Sequence, residues 1–103
     1  MDIAKTFESL MKEEKFDEME QLLSDDFSWK GPTKSMDKAT YLKDCQKTSA
    51  KDRPTFENFE PTDNALQFKR KGKAKMAMMS FSVVQTMELT ADGKIKSLVI
   101  VKA

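Results

Sequence analysis

The first half of the chain carries apolar residues at the three- to four-residue spacing of amphipathic helices. Two such groups occur near the start: Ile3, Phe7, Leu10 and Met11, then Phe16, Met19, Leu22 and Leu23. Asp2 precedes the first group, at the position where a side-chain oxygen caps a helix. Neither glycine nor proline separates the two groups near Glu14-Lys15, so the sequence leaves open whether the two helices are continuous.

A third helix is predicted for residues 37–49, where apolar and charged positions fall on opposite faces. Its apolar face carries Tyr41, Leu42 and Cys45. Chain-breaking residues bound this segment, because Gly31 and Pro32 precede it and Pro54 follows it.

Elsewhere the pattern changes to the two-residue alternation of strands. The first such segment, residues 26–31, places Phe27 and Trp29 on one side. Four more strands are predicted after the third helix, at residues 55–60, 65–71, 73–90 and 94–102. Gly72 separates the middle two, and Asp92-Gly93 is a strong hairpin signal before the last. The predicted order of elements is therefore α-α-β-α-β-β-β-β.

The predicted strand at residues 73–90 is too long to stay straight. Its residues would span about 60 Å at about 3.3 Å each. A domain of this length is only about 26 Å across. We therefore expect a bulge near residues 80–82 and a strongly curved antiparallel sheet that wraps around the three helices.

The last predicted strand has apolar residues on both of its faces. By simple alternation, Ile95, Val99 and Val101 share one face, and Leu98 and Ile100 share the other. Helices can cover only one face of the sheet. The outer face therefore favours a second copy of the chain as its partner, which predicts a homodimer.

Composition narrows the chemistry further. The chain has 103 residues, 39% hydrophobic and 34% charged, and no apolar stretch approaches the roughly 20 residues of a membrane span. It has no histidine, three glycines and one cysteine, which excludes a histidine-based nucleophile, a histidine metal site and a phosphate-binding glycine loop. We expect no metal, no cofactor, no membrane association and a reducing, cytoplasmic location.

Charge is divided unevenly along the chain. Residues 1–63 carry ten Lys and Arg against fifteen Asp and Glu, whereas residues 64–103 carry eight against two. The densest basic run is residues 69–75, which we expect to form a solvated hairpin tip. Nucleic acid is an improbable partner for it, because only Phe68 lies beside the run and could stack on bases.

Two segments of the sequence resemble the nuclear transport factor 2-like superfamily, particularly its SnoaL-like branch. They are the stretch Leu-Leu-Ser-Asp-Asp-Phe-Ser-Trp at residues 22–29 and Asp-Gly-Lys-Ile-Lys-Ser-Leu-Val at residues 92–99. The resemblance implies that residues 1–103 form a single α+β domain of cystatin-like type. In such a domain a cone-shaped, curved antiparallel sheet packs on three N-terminal helices and encloses a pocket. It also implies dimerisation through the outer face of the sheet.

The resemblance allows the catalytic positions of ketosteroid-isomerase-like relatives to be compared with this sequence. Those enzymes use an aspartate base, a tyrosine and a protonated aspartate to form and stabilise an enolate. The matching positions here are Gly31, Phe7 and Gln85, in that order. Gly31 cannot accept a proton and Phe7 cannot donate a hydrogen bond, so we assign no catalytic residue.

A ligand-binding role remains open for the residues that would line the pocket. We predict Trp29, Tyr41 and Gln85 as its main lining, together with Phe7, Phe27 and Met87. The alternative is that Trp29 and Tyr41 simply fill the core. Gln85 lies in an otherwise apolar strand, and burying its amide unpaired costs about 1–3 kcal/mol, so it needs a ligand, a water or a cross-strand partner.

Three functions follow from these patterns. The leading hypothesis is a non-catalytic SnoaL-like protein that binds a small apolar molecule or acts as a dimerising interaction module. The alternative is a SnoaL-like isomerase or cyclase acting on a steroid- or polyketide-like substrate, with Asp26 or Glu88 as the carboxylate base. A third option is that the basic run at residues 69–75 binds a nucleic acid or an acidic protein.

Overall fold

The computed structural model, which describes residues 3–76 and 79–103, has its three α-helices in the first half of the chain and most of its strands in the second half. The helices of the described residues are α1 (Ile3–Lys12), α2 (Phe16–Leu22) and α3 (Lys38–Lys47), with a 3-10 turn at Ala50–Asp52. The strands are β1 (Leu23–Lys30), β2 (Ser35–Asp37), β3 (Thr55–Phe56), β4 (Glu60–Pro61), β5 (Gln67–Met76), β6 (Met79–Leu89) and β7 (Ile95–Lys102).

The first two helices are separate. Glu14 adopts a left-handed conformation with φ of 57°, and the amide of Lys15 donates to the carbonyl of Leu10 at 2.9 Å. This closes α1 as a glycine would, although a side chain in this conformation costs about 1–2 kcal/mol. The sequence left open whether the first two helices are continuous, and the structure shows two separate helices. The predicted cap Asp2 lies outside the described residues.

The third helix begins as predicted. The side chain of Asp37 accepts a hydrogen bond from the amide of Thr40 at 2.8 Å, which caps α3 and lowers the pKa of that carboxyl. The helix ends at Lys47, two residues before the predicted end. The short strand β2, directly before it, was not predicted.

The strands form one curved, open sheet in the order β2-β1-β7-β6-β5-β3, with β4 also paired to β5. This confirms the α+β class. The pairs are antiparallel except β1 with β7, which run parallel and place the first strand of the chain beside the last. The helices pack on the inner face of the sheet. The shared core of the described residues is formed by Ala4, Phe7, Met19, Leu23, Phe27, Met36, Tyr41, Leu42, Cys45, Met87, Ile95 and Leu98.

The predicted division of the basic strand region was wrong. β5 runs straight through Gly72 to Met76, and Met76 pairs with Met79 at the start of β6. The pairing of β5 with β6 is uninterrupted, so the bulge expected near residues 80–82 is absent from the described ladder. Gly72 lies inside β5, and glycine is required there because a Cβ atom would lie 2.5 Å from the carbonyl oxygen of Thr55 on β3. The basic run is therefore part of a strand and not a hairpin tip.

A register shift between β6 and β7 corrects the predicted faces of β7. Glu88 pairs with Ser97 but Leu89 pairs with Ile95, so one residue is inserted at Lys96. The insertion turns Ile95 to the inner face, with Leu98 and Ile100, where simple alternation placed it outside. The hairpin before β7 is as predicted, since Gly93 has φ of 89° and its amide donates to the carbonyl of Thr90 at 3.0 Å.

Within the described residues, every helix is too short or too polar to cross a membrane.

Candidate functional site

A cavity of about 290 Å³ lies between α1, α3, the segment after α3 and the inner face of the sheet. Apolar and aromatic side chains form most of its wall, and polar groups lie at two ends. The lining residues are Phe7, Met11, Trp29, Tyr41, Asp44, Cys45, Thr48, Asp52, Arg53, Pro54, Phe56, Arg70, Gln85 and Ile100. We call the end at Arg70 and Gln85 the floor, and the end at Asp44, Thr48, Asp52 and Arg53 the mouth.

An aromatic wall forms one side of the cavity. The rings of Trp29 and Tyr41 stack with centroids 6.4 Å apart, and Phe27 packs behind Tyr41 at 5.2 Å. The indole lies over Gly31, where a Cβ atom would come within 2.5 Å of the ring of Trp29. Gly31 thus holds space for the indole, at the position that the resemblance assigned to a catalytic base.

A chain of three polar side chains forms the floor. Arg70 on β5 donates from Nε to Oε1 of Gln85 at 2.7 Å, directly across the strand pair. Its NH1 group donates to Oε1 of Glu8 on α1 at 2.8 Å. The buried amide of Gln85 therefore has a cross-strand partner, one of the three alternatives that the sequence left open. The side chain of Arg70 is only 7% exposed.

Aromatic rings and a carboxylate stabilise the buried charge of Arg70. Its guanidinium lies 4.0 Å from the ring centroid of Phe56 and 4.2 Å from that of Phe59. Burial lowers the pKa of Arg70 to about 10, while the charge of Glu8 acts to raise it. Arg70 is thus a cation at neutral pH.

A second arginine lies at the mouth. Arg53 donates from NH2 to the carbonyl of Cys45 at 3.1 Å and to Oε1 of Glu14 at 3.2 Å, and its guanidinium lies 5.7 Å from the ring centroid of Phe16. Its Nε is buried and has no hydrogen-bond partner among the described residues. A buried donor without a partner indicates a place for an acceptor, from a ligand or a water.

Tyr41 and Cys45 form a coupled pair in the wall. Burial raises the pKa of Tyr41 well above its ordinary value, and the adjacent Cys45 raises it further. Burial also raises the pKa of the Cys45 thiol, against a hydrogen bond with Tyr41 that lowers it. Both groups are neutral at physiological pH, so Cys45 is no thiolate nucleophile.

The predicted lining residues divide into two groups. Phe7, Trp29, Tyr41 and Gln85 line the cavity, whereas Phe27 and Met87 are buried in the core outside its lining. The two carboxylates proposed for the rival enzyme are elsewhere: Asp26 accepts from the hydroxyl of Ser24 at 2.8 Å on β1, and Glu88 lies on the outer face of β6.

Both arginines were missed by the sequence reasoning. The run Lys-Arg-Lys-Gly-Lys-Ala-Lys at residues 69–75 places lysine at every odd position and other residues at every even one. That alternation is a strand pattern with lysines on one face, and it could have identified Arg70 as inward-facing. For Arg53, neighbouring Pro54 and the end of α3 gave no comparable pattern. Among the described residues, no group of histidine, cysteine and carboxylate side chains could hold a metal ion.

Solved structures similar to this chain share its fold at low sequence identity. An NTF2-like protein of unknown function from Cytophaga hutchinsonii is 16% identical, with a TM-score of 0.75, covering 99% of this chain and 88% of its own. The epoxide hydrolase/cyclase-like enzyme SalBIII is 12% identical, with a TM-score of 0.70, covering 98% and 88%. A computationally designed 17-OHP binder is 16% identical, with a TM-score of 0.74, covering 98% and 88%.

No family model matches the sequence, and a search of curated proteins finds no match. The structural likeness extends over nearly the whole chain, and it includes both an enzyme and a ligand-binding protein. It therefore establishes the architecture and leaves the activity open. The chain has the nuclear transport factor 2-like fold that its sequence predicted.

Proposed function

We propose that this protein binds a small, mostly apolar molecule in the cavity between the helices and the sheet, without acid–base catalysis. The observation that carries the proposal is an aromatic-walled cavity with a buried donor at its mouth, Arg53 Nε, for which the residues that the structure describes supply no partner. In this proposal residues 1–103 act as one domain, and we expect a cytoplasmic location, with Cys45 free and buried.

The size and lining of the cavity support a small ligand. Its volume of about 290 Å³ is near the lower end of the roughly 300–1,000 Å³ of ligand pockets. Trp29 and Tyr41 offer flat apolar surfaces for a ring, and polar groups at the mouth can orient one polar substituent.

The floor supports binding over catalysis. Gln85, at the position of the oxyanion acid in ketosteroid-isomerase-like relatives, already accepts a hydrogen bond from Arg70. Phe7 and Gly31 occupy the other two catalytic positions, and neither can transfer a proton. None of the three side chains at these positions can therefore act as a general acid or base.

Trp29 provides a direct test, because it is the only tryptophan in the chain and it lines the cavity. The protein is titrated with steroids and with polycyclic aromatic polyketides while the emission of Trp29 is recorded. We expect a saturable change in emission with at least one compound, and a rise in melting temperature with the same compound.

Two neighbouring residues of β7 supply a matched pair of variants. Ile100→Phe adds a ring to the cavity wall, whereas Val101→Phe adds the same ring to the outer face. Binding should be lost in the first variant and retained in the second, with folding of both checked by circular dichroism. A flat titration with every compound, or equal loss in both variants, would contradict the proposal.

An enzymatic role is the alternative, and the two carboxylates at the mouth are what favour it. Asp44 and Asp52 line the cavity, so either could approach a bound substrate. A steroid with an unconjugated ketone, followed by ultraviolet absorbance, tests this alternative. Conversion that is abolished by Asp44→Asn or Asp52→Asn would establish catalysis and overturn the non-catalytic proposal.

We also propose self-association through the outer face of the sheet. Val84, Val99 and Val101 share this face, and Val101 is 51% exposed although it is a large apolar residue. Sedimentation equilibrium should show a dimer that Val101→Glu dissociates, because the variant places a charge in the apolar patch. A monomer at all concentrations of the unmodified protein would contradict this second proposal.

A further inference from the structure

The outer face of β5 carries a straight row of four lysines, Lys69, Lys71, Lys73 and Lys75, which we call the lysine row. Arg70 pairs with Gln85 on the inner face, so the odd-numbered residues of β5 point the opposite way. All four lysines are exposed. Because alternate residues of a strand lie about 6.6 Å apart, the row extends for about 20 Å.

Little within the molecule neutralises the lysine row. In the described parts of the chain, no carboxylate lies within 4.0 Å of the ammonium groups of Lys69, Lys71 or Lys73. Lys75 donates to the backbone carbonyl of Lys51 at 3.2 Å. Three carboxylates lie beside the row without forming an ion pair with it: Glu60 is the register partner of Lys69 on β4, the amide of Glu57 donates to the carbonyl of Lys71, and Glu88 is the register partner of Gln67.

The neighbours of the row can also bind carboxylates. Thr55 on β3 and Ser82 on β6 are the register partners of Lys73, and Ser80 is the partner of Lys75. Side chains of paired residues lie on the same face, so these hydroxyl groups flank the lysines. Each hydroxyl can donate one hydrogen bond to an anionic oxygen.

We propose that the lysine row binds an extended, acidic protein segment whose carboxylates occupy alternate positions. An extended peptide repeats its side chains on one side every two residues, with the spacing of the lysines. A single-stranded nucleic acid fits less well, because it needs aromatic side chains on which its bases stack. In the described part of this hairpin, Phe68 and Phe81 are at inward-facing positions, the register partners of Met87 and Ala74.

The proposal is independent of the cavity and compatible with a dimer through Val84, Val99 and Val101. In such a dimer the lysine row would lie at the polar rim of the interface, one strand away from the apolar patch.

Two labelled peptides of identical composition test the spacing. One alternates glutamate with threonine, and the other carries all its glutamates in one block. Fluorescence anisotropy at about 50 mM and about 200 mM sodium chloride should show tighter binding of the alternating peptide, weakening with salt. The double variant Lys71→Gln/Lys73→Gln should weaken that binding about fivefold or more, as loss of two exposed ion pairs implies.

The control is the double variant Lys43→Gln/Lys47→Gln, which removes the same charge from exposed positions on α3. It should bind the alternating peptide as the unmodified protein does. Equal binding of the two peptides, equal weakening by the control, no binding at all, or tighter binding of an oligothymidylate of equal charge would each overturn the proposal.

Discussion

Two arginines border the same cavity and do different things there. Arg70 at the floor is 7% exposed, and its guanidinium is bonded to Glu8 and Gln85 between two phenylalanine rings. Arg53 at the mouth is 15% exposed, bonds to a backbone carbonyl and to the half-exposed Glu14, and keeps one buried donor without a partner among the described residues. A guanidinium whose buried nitrogen atoms all have hydrogen-bond partners holds elements of the fold together. One that keeps a buried donor without a partner is available to a ligand.

The comparison also bears on Gln85, which was predicted to line the pocket because a buried amide needs a partner. Arg70 supplies a partner for the amide oxygen across the strand pair, and the buried cation is balanced in turn by Glu8. That bond occupies the oxygen of the amide alone. The two arginines therefore differ in the donors that they offer, and Arg53 Nε is the buried one without a partner among the described residues.

The largest effect is expected from removing the floor arginine. Arg70→Met leaves Gln85 without its partner and Glu8 without its cation, which should destabilise the protein by about 3 kcal/mol. Urea unfolding measures this change. Lys71→Met is the matched control, since it removes a cation from the exposed face of the same strand and should cost less than about 0.5 kcal/mol.

A double variant tests how much of the destabilisation by Arg70→Met arises because the carboxylate of Glu8 loses its partner. Adding Glu8→Gln to Arg70→Met should restore part of the stability, because a neutral amide in place of the carboxylate would leave no buried charge unpaired. If Arg70→Met were as mild as Lys71→Met, the floor would contribute nothing to folding and the comparison of the two arginines would be wrong.

The second-largest effect on stability is expected from a substitution of Gly72 in β5, the strand that carries Arg70. In Gly72→Ala the new Cβ atom would meet the ring of Phe56 and lie 2.5 Å from the carbonyl oxygen of Thr55. β3 must then move away from β5 and carry Phe56 off Arg70, at a cost of about 2 kcal/mol in the free energy of unfolding. Gly93→Ala is the comparison: it has open space but a φ of 89°, and should cost about 1 kcal/mol. Equal losses in the two variants would show that β3 does not press on Gly72.

The strand that contains Gly72 also shows how far the sequence could go. Periodicity predicted the three helices and the hairpin at Asp92-Gly93, because each depends on local pattern. The curved sheet was predicted from the family-like segments and from a long strand at residues 73–90, of which residues 73–76 belong to β5 and 79–89 to β6. The end of β5 was missed, since the sequence from 73 to 79 contains no glycine, proline, asparagine or aspartate to signal a turn. Gly72, which does resemble a turn residue, is instead required by packing between strands.

The candidate site was predictable where it depends on strand parity and unpredictable where it depends on long-range contacts. Trp29 was placed in the lining by alternation along β1. Arg70 is buried only because Glu8, 62 positions away, and Phe56 and Phe59 come to it in the folded chain. A local pattern can indicate the face of such an arginine, but not its partners.

The stability of the protein at alkaline pH tests whether Tyr41 and Cys45, in the cavity wall between the two arginines, are buried. Burial raises the pKa of Tyr41 above its ordinary value of 10.0, so above about pH 10 the unfolded chain releases a proton that the folded chain keeps. Stability present below pH 10 should therefore fall, by up to about 1.4 kcal/mol per pH unit, until the folded-state pKa is reached. Cys45, whose pKa is raised from 9.0, adds the same trend from a lower pH.

Urea unfolding between about pH 8 and about pH 11 measures this loss of stability. Arg70, whose pKa is lowered to about 10, acts in the opposite direction above that pH, because the folded chain then releases a proton that the unfolded chain keeps. The contribution of Tyr41 is therefore the difference between the unmodified protein and Tyr41→Phe. Tyr41→Phe should remove the part that begins near pH 10, and Cys45→Ser the part that begins near pH 9. Tyr41 is the only tyrosine, so its ionisation can also be followed by ultraviolet absorbance in the folded protein. Ionisation of the folded protein at the ordinary tyrosine pKa would show that Tyr41 is solvated and the wall open.

The smallest effect on stability is expected at the mouth. Arg53→Gln removes a bond to Glu14, whose side chain is 57% exposed, and one to a backbone carbonyl, so it should cost about 1 kcal/mol or less. Arg53→Lys should cost no more, because it keeps the charge. Urea unfolding of both variants measures the loss, and a cost equal to that of Arg70→Met would erase the distinction between the two arginines.

Substitutions of Arg53, which should have the smallest effect on stability, should have a large effect on ligand binding. Both Arg53→Met and Arg53→Lys have a carbon at the ε position and so lack Nε, the donor that has no partner in the described part of the chain, and both should weaken the binding of a cavity ligand with an acceptor group by roughly fivefold to tenfold. The emission of Trp29 reports the affinity in each case. If Arg53→Lys binds as the unmodified protein does, charge at the mouth is what the ligand recognises, and the orphaned Nε has no part in it.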